Sequence, residues 1–295
     1  MKFMISSNQG QLKCHRCSEC NGLSCANMLP GLGGVMDGFN FQSNYKAWKE
    51  LFLEAKTEAS QILIKPEVIR CGPVTGSVEN IGYNNEKDFY LPYLSNVLSA
   101  GFNLCVGDGY PDEKLQFGTE AVKSLNTKAA FFLKPYPQEI LKKRIDFVKP
   151  YASYVGVDID SFNIATMRNL VHLERKTADQ LQDLRTQAQL PFVIKGVFTD
   201  EDIELVKEVK PDVVYISNHG GRVETKKGST GVFLKENAEI LKKYCKEIWV
   251  DGGIRTKQDI QAALYYGADQ VIMARPFIKA TFDNNFKEKF GSFLK

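Results

Sequence analysis

Eight short β-branched or apolar runs, alternating with longer amphipathic stretches, constrain this chain more than any other feature of its sequence. They lie near residues 68–71, 103–106, 129–133, 154–158, 192–195, 213–217, 248–251 and 270–274. Such alternation is the pattern of repeated βα units around a parallel sheet. Eight units over roughly 230 residues match a single (β/α)8 TIM barrel, an α/β fold. Helix-start signals agree: Thr177 precedes Gln180, Thr199 precedes Asp202 and Thr256 precedes Asp259 at capping-box spacing. Each threonine hydroxyl can accept from an otherwise orphan N–H at the start of the next helix.

Residues 1–60 precede the first run and read as an N-terminal Cys-rich extension packed on the barrel, with residues 61–295 as the barrel itself. Within the extension lie a glycine-rich turn at Gly31, Gly33 and Gly34 and an expected helix over residues 45–60. The 38 basic and 35 acidic residues are spread along the chain, so no dominant field draws it to nucleic acid. No apolar stretch is long enough to span a membrane, and the first residues lack the apolar region of a secretory signal. A cytoplasmic protein with reduced cysteines is therefore expected.

Polar and glycine residues collect where the runs end, which in a barrel is the face that carries chemistry. Those segments are Lys195-Gly196, the run from Ser217 through Asn218, His219, Gly220 and Gly221 to Arg222, the run from Asp251 through Gly252, Gly253 and Ile254 to Arg255, and Ala274-Arg275-Pro276. His219 is one of three histidines, and the other two, His15 and His172, stand outside any strand-end motif, so it is the candidate imidazole base. Arg222, in the same loop, offers a planar fork for one small anionic substrate; a structural histidine beside a surface arginine is the alternative. The glycines and arginines after the last two runs suit a phosphate. A lysine pointing into the barrel mouth, as Lys195 would, needs an anion or a carboxylate partner.

In order and spacing these four segments resemble the FMN-dependent 2-hydroxy-acid oxidases and dehydrogenases, which include glycolate oxidase and lactate oxidase, and in particular a compact bacterial branch of that family. The resemblance is strongest from Pro191 to Pro276. It implies FMN as cofactor, with Lys195 at the flavin ring, His219 as base, Arg222 on the substrate carboxylate, and Arg255 and Arg275 on the FMN phosphate. Ser217, Asp251, Gly253 and Ala274 belong to the same implied cofactor site. Asp158 looks like the family's aspartate that stabilises the protonated histidine, and Tyr136 like its substrate tyrosine, with Lys134 in place of a glutamine. The segment Pro73-Val74-Thr75-Gly76 resembles the loop whose backbone faces the flavin. Two departures stand out: Gly107-Asp108-Gly109 replaces the family's usual serines, and Gly156 a flavin-contacting threonine.

The implied reaction is oxidation of a small 2-hydroxy acid, lactate- or glycolate-like, to the 2-oxo acid, in a protein expected to form a homo-oligomer. Another FMN barrel enzyme, such as isopentenyl diphosphate isomerase, shares the phosphate site, although the His-Gly-Gly-Arg segment argues against it. A flavin- or metal-binding regulatory protein without turnover is the reading from a different class. Separately, Cys14, Cys17, Cys20 and Cys25 fall within twelve residues, and in a reducing compartment such spacing suggests metal or redox chemistry more than disulfides. Zinc and an iron–sulfur cluster both accept four thiolates; free thiols in an arm are the alternative.

Overall fold

The computed structural model of the chain describes residues 38–81, 83–163, 171–223 and 225–291. The eight expected strands are all present: β1 (Ile69–Cys71), β2 (Cys105–Gly107), β3 (Ala129–Leu133), β4 (Ala152–Asp158), β5 (Phe192–Val197), β6 (Val213–Ile216), β7 (Glu247–Val250) and β8 (Gln270–Met273). Every pairing is parallel, in the order β1-β8-β7-β6-β5-β4-β3-β2. The remaining seam, between β1 and β2, is closed by Asn103. Its N–H donates to Ile69 O (2.9 Å) and its carbonyl accepts from Cys71 N (3.0 Å). The fold is a (β/α)8 barrel, a closed parallel sheet with its crossover helices outside.

Eleven α-helices lie among the described residues. Before the barrel come α1 (Phe39–Glu54) and α2 (Lys56–Ala59). Around it run α3 (Lys87–Ser99), α4 (Glu113–Ser124), α5 (Gln138–Val148), α6 (Ala178–Ala188), α7 (Asp200–Val209), α8 (Thr230–Leu241), α9 (Lys257–Tyr265), α10 (Arg275–Phe282) and α11 (Phe286–Phe290). The threonine caps form as their spacing predicts: α6, α7 and α9 each begin with a complete capping box, at Thr177, Thr199 and Thr256. Ser229 caps α8 by accepting from Val232 N. These caps fix where each loop at the strand ends stops and its helix starts.

Side chains from five strands fill the barrel interior. Trp249 of β7 meets Tyr154 of β4 edge-on at 4.9 Å. Phe132 of β3 meets Tyr215 of β6 at 5.3 Å, and the Arg70 guanidinium of β1 lies 4.1 Å over the Trp249 ring. Such aromatic and cation–π contacts add to the burial of the rings themselves. The same plug ends upward in chemistry, because the Tyr215 hydroxyl donates to Asp251 Oδ2 at 2.8 Å.

The helix expected over residues 45–60 begins earlier, at Phe39, and is interrupted at Ala55. Its start is set by packing more than by propensity: Phe41, Asn44, Trp48 and Leu51, at helical spacing, are all buried. Farther along, Tyr266 donates to Leu51 O (3.4 Å) and Lys235 pairs with Glu54, so α1 lies against α8 and the end of α9. Cys14, Cys17, Cys20 and Cys25 lie outside the described residues, as does the glycine-rich turn that follows them. Among the described residues, no helix is long and apolar enough to cross a membrane.

Candidate active site

The expected site residues gather at the C-terminal ends of β3 to β8. Strand register explains the first group. Asp158 pairs with Lys195 across β4 and β5, and Leu133 pairs with Val157 across β3 and β4, which brings Lys134 beside Asp158. The result is a buried carboxylate between two ammoniums: Lys195 Nζ lies 2.6 Å from Asp158 Oδ1 and Lys134 Nζ 2.8 Å from Oδ2. Lys134 also donates to Ser161 Oγ at 3.0 Å. Burial alone would raise the Asp158 carboxyl, but Lys134 and Lys195 hold it well below the usual carboxylate range. For Lys195, burial pulls downward and Asp158, Asp160 and Asp251 together win, raising it above its ordinary value. Lys195 thus has its anion within the protein, where the sequence left a flavin or a carboxylate as alternatives.

His219 follows β6 in a turn that the backbone forces. Its φ is +56° and those of Gly220 and Gly221 are +66° and +93°. Asn218 steadies the turn by accepting from Gly221 N (2.9 Å), and Ser217 Oγ accepts from His219 N (3.1 Å). Gly221 admits no side chain, since a Cβ there would come within 2.5 Å of Phe41 N. Asp160 Oδ1 lies 3.1 Å from the imidazole Nδ1, while Asp158 Oδ1 lies 3.7 Å away. The sequence singled out Asp158 for this contact and missed Asp160. The available signal was the Asp-x-Asp at the end of β4, which places two carboxylates at one strand end. Burial lowers the His219 pKa well below its usual value, against the opposing pull of Asp158, and the Lys195, Lys134 and Arg222 charges lower it further. Burial and these cations favour the neutral ring.

A second group holds three arginines. Arg275, at the start of α10, is buried; burial pulls its pKa well down, and the Arg255 and Arg222 charges add to the effect. Its polar contact is a 3.4 Å bond from NH2 to Gly220 O. Arg255 donates NH1 to Ile254 O (2.8 Å), but its Nε and NH2 are buried without a partner among the described residues. Asp251 Oδ1 is likewise unpartnered. A buried guanidinium with two like-charged neighbours, one of them with unpartnered donors, is costly by itself and is relieved by a dianion of phosphate size. That donor set, beside the N-terminus of α10 and the loop after β7, fits the phosphate of FMN.

Helix α1 braces both loops, a role the sequence did not reveal. Asn44 donates to Asn218 Oδ1 (2.7 Å), accepts from Asn218 Nδ2 (3.0 Å) and accepts from Thr230 N (2.9 Å). Asn40 Nδ2 donates to Lys226 O (2.8 Å), and its Oδ1 accepts from Gly228 N (2.8 Å). Trp48 donates its indole N–H to Gly252 O at 2.6 Å. Asn40, Asn44 and Trp48 repeat every four residues, and that spacing was the signal for a shared face.

Tyr136 sits in an adjoining network. The Arg144 guanidinium lies 4.3 Å over its ring, and its buried hydroxyl has no partner among the described residues. Arg144 pairs with Asp108 at 2.7 Å, and Asp108 accepts from Lys134 N (3.2 Å) and Gly109 N (2.8 Å). The two departures from the family pattern have steric or electrostatic reasons. A Cβ at position 156 would lie 2.8 Å from that of Val193, and one at 107 would lie 2.3 Å from Pro73 O. Asp108 is the counter-ion of Arg144. The segment from Pro73 through Val74 to Thr75 therefore lies over the end of β2, and Gly72 abuts Ala274 at the end of β8.

A family model described as FMN-dependent dehydrogenase matches residues 121–284, more than half of the chain. Similar curated proteins include the L-lactate dehydrogenase (cytochrome) of Saccharomyces cerevisiae, 37% identical over 108 residues, which are 35% of this chain and 18% of that protein. The 2-hydroxyacid oxidase 2 of Rattus norvegicus is 33% identical over 100 residues, 34% of this chain and 28% of that one. These matches span less than a third of either relative. Among solved structures, a mandelate oxidase with (S)-2-phenylpropionate has a TM-score of 0.63 at 17% identity, covering 89% of this chain and 86% of that one. A lactate oxidase of Pediococcus acidilactici has a TM-score of 0.60 at 17% identity, covering 86% and 82%.

Proposed function

The chain belongs to the FMN-dependent dehydrogenase family, and from that premise we propose that it oxidises a small 2-hydroxy acid, of lactate or glycolate size, to the 2-oxo acid. One observation carries the proposal: a neutral imidazole held through Nδ1 by Asp160 at 3.1 Å stands in the same turn as Arg222. A base and a carboxylate fork three residues apart suit a substrate bearing a hydroxyl next to its carboxylate.

Arg255 and Arg275 would hold the FMN phosphate, with the backbone at Gly253 and Ala274. Lys195, Ser217, Asp251 and the loop from Pro73 through Val74 to Thr75 would face the rest of the cofactor. Bound FMN supplies the acceptor for the two electrons that leave when the carbinol becomes a carbonyl. Arg222 would bind the substrate carboxylate in two parallel hydrogen bonds and fix the orientation of the carbinol carbon. Tyr136, whose hydroxyl has no partner among the described residues, would donate a further hydrogen bond to the substrate. Nδ1–H of His219 is committed to Asp160, so the Nε2 lone pair receives the substrate proton. The imidazolium that forms would keep its Nδ1–H on Asp160, with the Asp158 carboxylate 3.7 Å away.

Turnover tests this. FMN-loaded protein is supplied with an artificial electron acceptor and either lactate, glycolate or their amides, and the 2-oxo product is quantified. The acids are expected to be oxidised and the amides to react at least tenfold more slowly, because only the acids engage the Arg222 fork. Equal rates with acid and amide would overturn the assignment of Arg222, and no product from any 2-hydroxy acid would overturn the reaction.

A further inference from the structure

We infer that Asp160, not Asp158, is the positioning residue that fixes the ring orientation and tautomer of His219. The inference rests on the reading of His219 as the proton acceptor and adds a division of labour between two adjacent carboxylates.

The geometry separates them. Both oxygens of Asp158 are engaged by ammoniums, Lys195 at 2.6 Å and Lys134 at 2.8 Å. Its distance to His219 Nδ1, 3.7 Å, lies beyond hydrogen-bond range. Asp160 Oδ1 is within range at 3.1 Å. A second, independent feature holds Asp160 there. The strand end is pinned by Ile159 N donating to Lys195 O (2.8 Å). Beside it, Gly196 has φ of +97°, and a Cβ at that position would lie 2.6 Å from Asp160 Cγ. Glycine leaves the space that the Asp160 carboxyl occupies.

The charges give each carboxylate a different task. Asp158 is ionised and spent on neutralising Lys134 and Lys195. Asp160, buried and next to the Asp158 charge, is raised well above the usual carboxylate range. Asp160 Oδ2 is buried without a partner among the described residues, and Oδ1 is the oxygen that faces Nδ1. Nε2 is thereby left unprotonated toward the substrate. The groups facing the ring are Asp158 and Asp160 from the end of β4, Lys195 from β5, Lys134 from the loop after β3, and Arg222 from its own turn.

Ring nitrogens can be read directly. The chain has three histidines, so 15N-histidine spectra of the FMN-loaded protein without substrate are simple, and His219→Ala assigns the signal. The Nδ1–H tautomer is expected in the wild type and in Asp158→Asn, and its loss in Asp160→Ala. Asp160→Leu keeps the volume and serves if the alanine variant does not fold. Asp160→Asn, whose amide oxygen still accepts, is expected to retain the tautomer. In flavin reduction, Asp160→Ala should lower the limiting rate ~100-fold while KM stays within about threefold. Retention of Nδ1–H in both Asp160→Ala and Asp160→Leu, or its loss in Asp158→Asn instead, would overturn the inference. Because the spectra need no substrate, absence of flavin reduction in the wild type would count against the proposed reaction and not against this assignment.

Discussion

The Arg275 guanidinium lies 4.7 Å over the ring of Phe41, so a residue of the helix before the barrel covers the cation at the start of the last crossover helix. Arg275 is buried there with Arg255 and Arg222 as like-charged neighbours, and the ring face offsets part of that cost. Arg275→Ala is expected to weaken FMN binding at least tenfold, measured by quenching of flavin fluorescence. The same substitution should leave the cofactor-free protein as stable as the wild type or more so, because it relieves repulsion. Unchanged FMN affinity would contradict the phosphate assignment.

Among the described residues Arg222 makes one long side-chain contact, NH1 to His219 O at 3.5 Å. Arg222→Lys is expected to raise KM for the 2-hydroxy acid by about tenfold or more and to lower kcat, since a point charge cannot reproduce a bidentate grip. Steady-state kinetics with an artificial acceptor read both constants. Wild-type values for both would remove Arg222 from the substrate site.

Asn44 makes buried hydrogen bonds to Asn218 and Thr230. Asn44→Ala removes these bonds and leaves Thr230 N without its acceptor, and should cost about 2–4 kcal/mol, read from the urea midpoint. It should also loosen FMN, because the turn bearing His219 and the loop after β7 both lose their brace. A loss under about 0.5 kcal/mol would show that the contact is not a structural one.

Asp108 supplies a pH signature. Burial raises its pKa to about 6, against the Arg144 charge 2.7 Å away. The fold therefore favours the protonated form, and this contribution to stability is full below the unfolded carboxylate range and lost as pH rises through about 6. Asp108→Asn removes that dependence. The stability of the wild type relative to the variant should fall by roughly 2 kcal/mol between about pH 4 and pH 7, from urea titrations at each pH. Parallel curves would contradict the assignment.

The barrel was legible because each strand is a short apolar run, with polar, glycine-bearing ends after β5, β6 and β7, and because Thr177, Thr199 and Thr256 mark the next helix starts locally. The arginines after β7 and β8 and the turn at His219 were legible for the same reason, as each lies within a few residues of its own strand. Contacts set by register and burial were not. Whether Asp158 or Asp160 reaches His219 depends on how β4 turns at its end and on Lys134 and Lys195 occupying the first carboxylate. The brace by Asn40, Asn44 and Trp48 joins residues far apart in the chain, and no local spacing encodes its partner. The start of α1 at Phe39 likewise follows from burial of Phe41 against Gly221, a contact invisible in either segment alone.

Anaerobic reduction of the bound flavin tests the central claim most directly. FMN-loaded wild-type protein and His219→Ala are mixed with lactate or glycolate without oxygen, and the yellow absorbance of the oxidised flavin is followed. The account predicts bleaching in the wild type, and in His219→Ala retained flavin with reduction slowed by ~100-fold or more, since no other described imidazole is placed to accept the proton. A wild-type flavin that stays oxidised with every small 2-hydroxy acid, or a His219→Ala protein that bleaches at the wild-type rate, would contradict it.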